Sequence, residues 1–210
     1  MLGDFLDFSE VKMDTLCYNI EGIMYVNLTN KCSNDCDFCE RNRVKTMSGY
    51  NLWLDKEPTA EEIIEDLKSK DLNGITDLVF CGFGEPSYRW DVIKSVANFA
   101  HSIGLKTRMN TNGQGSLING YDITTDIDKY LDKVNISLNN SNRDRYDDVC
   151  HSIYGKEAFE ELLSFAKKCS EKGVHTTLSV VDCIGNEEIE ECRKIASSLG
   201  VNFRVRQEIK

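Results

Sequence analysis

Residues 77–110 read DLVFCGFGEPSYRWDVIKSVANFAHSIGLKTRMN. Asp77 to Cys81 is a short apolar run, the mark of a buried strand. From about Arg89 to Ile103, the apolar residues Val92, Ile93, Val96, Phe99 and Ala100 recur at helical spacing. Leu105 to Asn110 then alternates, with Lys106, Arg108 and Asn110 on one face and Leu105, Thr107 and Met109 on the other. Strand, helix and strand in so short a stretch form a crossover unit, and crossovers join parallel strands.

The same alternation extends in both directions. Upstream, Thr15 to Ile20 and Ile23 to Thr29 flank a Glu21-Gly22 turn and read as a hairpin. A helix starts at Thr59, which has capping-box spacing to Glu62, with Ile63, Ile64 and Leu67 as its apolar stripe. Downstream come a short helix near Thr125 to Leu131, a strand Val134 to Asn139, and a helix Ala158 to Lys172 closed by Gly173. A strand Val174 to Val181, a helix Glu187 to Leu199 and a strand Val201 to Arg206 complete the pattern. Six strands from Ile23 onward suit crossovers, where a closed barrel uses eight. The expected fold is α/β, a partial (β/α)6 TIM-like barrel with an N-terminal β-hairpin. It is expected as one domain over 1–210, with 1–22 as extension and hairpin strand and 23–206 as the partial barrel.

Three strands carry polar residues on the face that cannot meet helices: Arg108 and Asn110; Asn135, Ser137 and Asn139; Asn202, Arg204 and Arg206. Two readings stay open. The polar faces line a cavity for a polar or anionic ligand, or they form the solvated side of a two-layer sheet.

The chain has 210 residues and a net charge of −10. That balance disfavours broad binding to nucleic acid. No apolar run is long enough for a membrane span, and Met1 to Glu10 lacks the pattern of an export signal. A cytoplasmic location is expected. The 9 cysteines are then not a disulfide framework, and their odd number also argues against complete pairing.

Three of them, Cys32, Cys36 and Cys39, stand at C-x3-C-x2-C spacing just after the strand that begins at Ile23. Sites in parallel sheets lie beyond the carboxyl ends of strands. Thiolates so spaced can converge on one centre, and soft sulfur favours zinc or iron–sulfur. Structural zinc takes four protein ligands, as does an ordinary [4Fe–4S] cluster. The loop offers three, and His101, His151 and His175 are far along the chain. A cubane with one open iron fits three thiolates. A zinc site completed by a remote residue such as Cys17 or Cys81 is the alternative.

The segment resembles the radical S-adenosylmethionine (SAM) superfamily, whose signature is C-x3-C-x2-C with an aromatic residue before the last cysteine, here Phe38. Cys81-Gly82-Phe83-Gly84-Glu85-Pro86 is similar to the family's G-G-E-P motif, with Phe83 inserted. Asn110-Thr111-Asn112-Gly113 resembles its T-N-G, and Ser137-Leu138-Asn139 its S-L-D/N stretch. The opening, through Asn27-Leu-Thr-Asn-Lys-Cys32, is most similar to compact TatD-associated members.

The resemblance implies an enzyme that reductively cleaves S-adenosylmethionine to a 5′-deoxyadenosyl radical and abstracts hydrogen from a substrate. Cys32, Cys36 and Cys39 are then cluster ligands. Phe38 (through its carbonyl), Gly82, Gly84 and Glu85 handle the adenine and methionine ends. Asn110, Ser137, Asn139 and Arg204 are further cofactor contacts. A small-molecule substrate, an electron donor such as flavodoxin or ferredoxin, and a link to a TatD-type hydrolase are the expected partners. A glycyl-radical activase and a zinc-stabilised binding module are the competing functions. The loop from Glu40 to Lys56 is expected over the cluster, with Arg41, Arg43 and Lys45 offered to an anionic substrate or merely solvated. No cysteine-rich extension follows the last strand, which weighs against members that carry auxiliary clusters. Cys150 is expected in the core, with a thiol hydrogen donor near the cavity as the alternative.

Overall fold

The protein is described by a computed structural model over residues 15–44 and 46–207. The expectations for Met1 to Glu10, for most of the extension and for Lys45 lie outside the described residues. The chain opens with the hairpin β1 (Cys17–Ile20) and β2 (Ile23–Val26). Glu21 (φ 51) and Gly22 (φ 80) are both left-handed, as a two-residue hairpin turn requires. Then come β3 (Asp77–Phe80), β4 (Lys106–Thr111), β5 (Lys133–Ser137), β6 (His175–Val181) and β7 (Asn202–Arg206).

The seven strands pair in chain order, antiparallel at β1–β2 and parallel from β2 onward. The crossovers carry α1 (Ala60–Lys68), α2 (Trp90–Ser102), α3 (Gly115–Asn119), α4 (Arg143–Cys150), α5 (Glu157–Glu171) and α6 (Asn186–Ser198). Right-handed crossovers in an order that never reverses place their helices on one face of the sheet. The result is an open, partial (β/α)6 barrel with an antiparallel edge strand.

The helix-facing side is apolar. Met24, Val26, Leu78, Phe80, Met109, Val134, Ile136, Leu178 and Val180 are buried with Ile63, Leu67, Ile93, Val96, Leu162 and Phe165 in one core. Each such side chain contributes roughly 1.5–3 kcal/mol on burial. Thr59 closes the capping box of α1, accepting from the Glu62 amide at 3.2 Å while its own amide donates to Glu62 Oε2 at 2.9 Å. On the concave face Tyr25, Arg108, Asn110, Asn135, Ser137 and Arg206 are half-buried and Arg204 is exposed. Val79 is an apolar exception there.

Some boundaries differ from the sequence reading. The strand from Ile23 stops at Val26, because the Asn27 side chain leaves the ladder to bond the carbonyls of Thr15 and Leu52. The strand from Val134 stops at Ser137, since Asn139 turns left-handed at φ 57. The helix expected near Thr125 is a kinked 3-10 stretch, Ile123–Lys129. α4 was not anticipated: only Tyr146 and Cys150 are buried on it, so it shows no apolar stripe.

Candidate functional site

The cysteine loop leaves β2 at the carboxyl end of the sheet, and its neighbours hold it tightly. Ser33 and Asn34, between the first two cysteines, are buried. Asn112 Nδ2 donates to Ser33 Oγ at 2.8 Å, and the Ser33 carbonyl accepts from the Ile153 amide at 2.9 Å. Asn34 donates to the Tyr146 hydroxyl at 3.1 Å and accepts from Gln114 Nε2 at 2.8 Å. Gln114 also donates to Tyr146 and accepts from Ser152. The amides of Asp35 and Asp37 donate to the carbonyls of Cys150 and Val149, which close α4. Loops after β4 and β5 thus clamp a loop that follows β2.

Cys32, Cys36 and Cys39 are free and half-buried. Burial pushes the Cys32 thiol up to about 12, with the Glu85 carboxylate adding to the effect. The Cys36 thiol is raised by its hydrogen bond with Cys150 and then by burial, and the Cys39 thiol by burial. Without metal these groups stay protonated at neutral pH, so a soft cation must displace their protons to bind. Among the described residues, no three His, Cys, Asp or Glu side chains converge as they would around a single metal ion. A cubane spreads its thiolates over different irons and does not need that convergence. The donor set, three soft sulfurs on one buttressed loop, fits such a group. Cys17 does not complete a zinc knot in this fold, because its Sγ lies in the core against the Ile63 carbonyl.

The loop after β3 packs directly on the cysteine loop. A Cβ at Gly82 would overlap the Asn27 side chain, and one at Gly84 would overlap the Thr29 and Lys31 carbonyls. Both glycines are therefore required by loop-on-loop packing. Glu85 turns its side chain inward. Its carboxylate is buried and accepts from Thr111 Oγ1 (2.7 Å), the Asn112 amide (2.7 Å) and the Ser87 amide (3.1 Å). The side chain ties its own turn to the end of β4, and the Glu85 amide donates to the Lys31 carbonyl at 2.8 Å. Phe83, the insertion in the motif, is buried with Tyr18 and Leu52 and meets Trp53 at 5.3 Å between ring centres.

Phe38 packs its ring against the main core and anchors the loop. Asn110 is half-buried beside Cys81, and its Oδ1 is buried without a hydrogen-bond partner. Ser137 accepts a long contact from Arg206 Nη2 at 3.5 Å. Asn139 is buried and donates to Cys150 Sγ at 3.5 Å, while its Oδ1 is buried without a hydrogen-bond partner. Arg204 is exposed on β7. Cys150 is buried, as expected of a core cysteine, but its thiol also meets Cys36. Sequence reasoning missed Ser33, Asn34, Gln114, Tyr146 and Ser152. Only Ser33 and Asn34 carried a local signal, as polar residues inside the C-x3-C spacing.

The loop from Glu40 is held down rather than free. Asn30 pairs with Leu54 in both directions, and Val44, Met47 and Tyr50 pack around Tyr18, Leu52 and Phe83. Arg41 reaches the Asn30 carbonyl at 3.4 Å and Asp35 at 3.5 Å, and Arg43 is engaged as well. An acidic groove of about 870 Å³ between Arg145 and Glu187–Glu191 includes none of these site residues. Among the described residues no helix is long and apolar enough to cross a membrane.

Comparison with known proteins gives the site a context. A family model described as the radical SAM superfamily matches residues 26–199. An uncharacterized protein of Methanocaldococcus jannaschii is 28% identical over 151 residues, which cover 72% of this chain and 44% of the relative. The chain thus spans under half the length of the curated relative it matches. Among solved structures, a polyhistidine-tagged anSMEcpe with bound AdoMet (S-adenosylmethionine) superposes with a TM-score of 0.66 at 12% identity, covering 90% of this chain and 51% of that one. A radical SAM methyltransferase from Sphaerobacter thermophilus gives a TM-score of 0.62 at 15% identity, covering 91% and 68%. At these identities the structures show the shared fold.

Proposed function

The chain belongs to the radical SAM superfamily, and on that premise we propose that Cys32, Cys36 and Cys39 hold a [4Fe–4S] cluster with which this protein cleaves S-adenosylmethionine. When bound, the two groups supply a 5′-deoxyadenosyl radical for hydrogen abstraction. The observation that carries the reading is the loop itself. Its three thiols have no fourth companion in the segment, and the residues between them are clamped from two other loops.

The chain's own residues then divide the remaining work. Ser33 and Asn34, held by Asn112, Gln114 and Tyr146, fix the loop so that the thiols are presented together. Phe83, Leu52 and Tyr18 seal the neighbouring edge against water. Asn110, with its unsatisfied oxygen, and Ser137 are the polar groups of the lumen that orient the cofactor. The main chain from Gly82 to Glu85 borders the same end of the sheet. Arg204, expected at the carboxylate or ribose end, is left here to the substrate side of the lumen.

Within the superfamily we place the chain with the compact TatD-associated members, on the likeness of the segment from Tyr18 to Cys32. A small polar or anionic substrate, a flavodoxin- or ferredoxin-type donor, a functional link to a TatD-type hydrolase and a reducing cytoplasmic setting complete the proposal. The free state of the cysteines suits that setting.

Metal content tests the cluster. Anaerobic reconstitution with iron and sulfide is expected to give a brown protein with about four irons per chain, the complement of one cubane. The colour should bleach in air and be lost in Cys36→Ala. A colourless protein with stoichiometric zinc would replace this reading with a zinc-stabilised module.

A further inference from the structure

The concave face holds charges that the cluster reading does not use. Arg108 projects from β4, and Arg204 and Arg206 project from β7, on the side away from the core. Tyr25 meets the Arg108 guanidinium and lies in the field of Arg204 as well. Cys81 lies in the field of both Arg108 and Arg206. The three arginines therefore surround one region of the lumen, although they come from strands at separate positions in the sheet.

None of the three forms an ion pair among the described residues, in a chain with 35 acidic and 25 basic residues. Other basic groups do find carboxylates: Lys133 pairs with Asp77, Arg89 with Glu57, and Arg145 with Glu188. Glu40 lies in the field of Arg206 without pairing to it. The Nε atoms of Arg108 and Arg206 are buried and have no hydrogen-bond partner. Among the described residues, the only side-chain hydrogen bond of Arg206 is the 3.5 Å reach to Ser137. Burial makes the Arg206 guanidinium harder to keep charged than usual; Cys81 and Glu40 oppose that, and the charge of Arg204 adds to it. Buried donors left unpaired and like charges left facing each other are both unfavourable. Such an arrangement is suited to hold an anion.

We propose that Arg108, Arg204 and Arg206, with the Tyr25 hydroxyl, seat a doubly charged oxyanion of the substrate, a phosphate monoester or a paired dicarboxylate. The inference takes the lumen as the reaction chamber of the reading above. One guanidinium suffices for the single carboxylate of S-adenosylmethionine, and three exceed it. Guanidinium forks match phosphate and carboxylate oxygens two at a time. The charge of the group also explains how an acidic protein of net charge −10 can draw an anionic substrate to one place.

Calorimetric titration of the reconstituted protein with inorganic phosphate, and separately with succinate, tests the site. One of the two is expected to bind once per chain. Arg108→Gln or Arg206→Gln should weaken it by about tenfold or more, the loss of a charge-assisted bond. Arg108→Lys should weaken it less, and Lys167→Gln on the surface of α5 should not change it. Thermal midpoints identify variants that fail to fold, and Arg108→Lys then carries the test. The site is overturned if neither anion binds, if the glutamine variants bind like wild type, or if S-adenosylmethionine displaces the anion one for one. Iron content measured on the same samples separates the two readings. Phosphate binding in a protein that takes up no iron would sink the cluster and leave the anion site standing.

Discussion

Glu85 shows how much a motif leaves unsaid about a side chain. Its carboxylate is buried yet accepts three hydrogen bonds, from Thr111, Asn112 and Ser87. Burial raises its pKa, and those three donors pull it back. Glu85→Ala leaves the donors without an acceptor, each at roughly 1–3 kcal/mol. The variant should lose about 3 kcal/mol or more in urea unfolding, with an unchanged slope. A loss under about 1 kcal/mol would show that the carboxylate is not the tie described here. The likeness to G-G-E-P picks out this residue, but its direction is set by partners 26 and 27 positions downstream. The same holds for Asn139, whose side chain turns to Cys150 because its own backbone is left-handed. The three cysteines stand out in the sequence because spacing alone defines them.

At the scale of elements, the loops after β2, β3 and β4 form one packed unit. Gly84 is where two of them touch, against the carbonyls of Thr29 and Lys31. Gly84→Ala must push these loops apart, and overpacking of this kind costs roughly 1–3 kcal/mol. The expected outcome is a folded protein with a lowered thermal midpoint and reduced iron uptake on reconstitution. Iron uptake and midpoint both equal to wild type would contradict the packing role. Strands and long helices were readable because alternation and 3.6-residue spacing are local signals, as in β4 and α2. α4 was not readable, since it is polar apart from Tyr146 and Cys150. The clamp on the cysteine loop was hidden for a related reason: Asn34 and Tyr146 are 112 residues apart, and no local pattern joins them.

Over the whole molecule, strand order follows chain order, so one face of the sheet packs on helices and the other faces an open lumen. The alternation of polar and apolar residues in β4, β5 and β7 already implied this division. The crowding of Arg108, Arg204 and Arg206 around Tyr25 and Cys81 needed the curvature of the sheet. The cysteine loop sits at the carboxyl end of that lumen, where parallel barrels place their chemistry. The most direct test of this account is anaerobic. Protein reconstituted with iron and sulfide is reduced with dithionite and given S-adenosylmethionine, and 5′-deoxyadenosine is measured by mass spectrometry beside a Cys36→Ala control. The account predicts 5′-deoxyadenosine from the intact triad and none from the variant. Equal yields from both proteins, or no product from a protein carrying its full cluster, would contradict it.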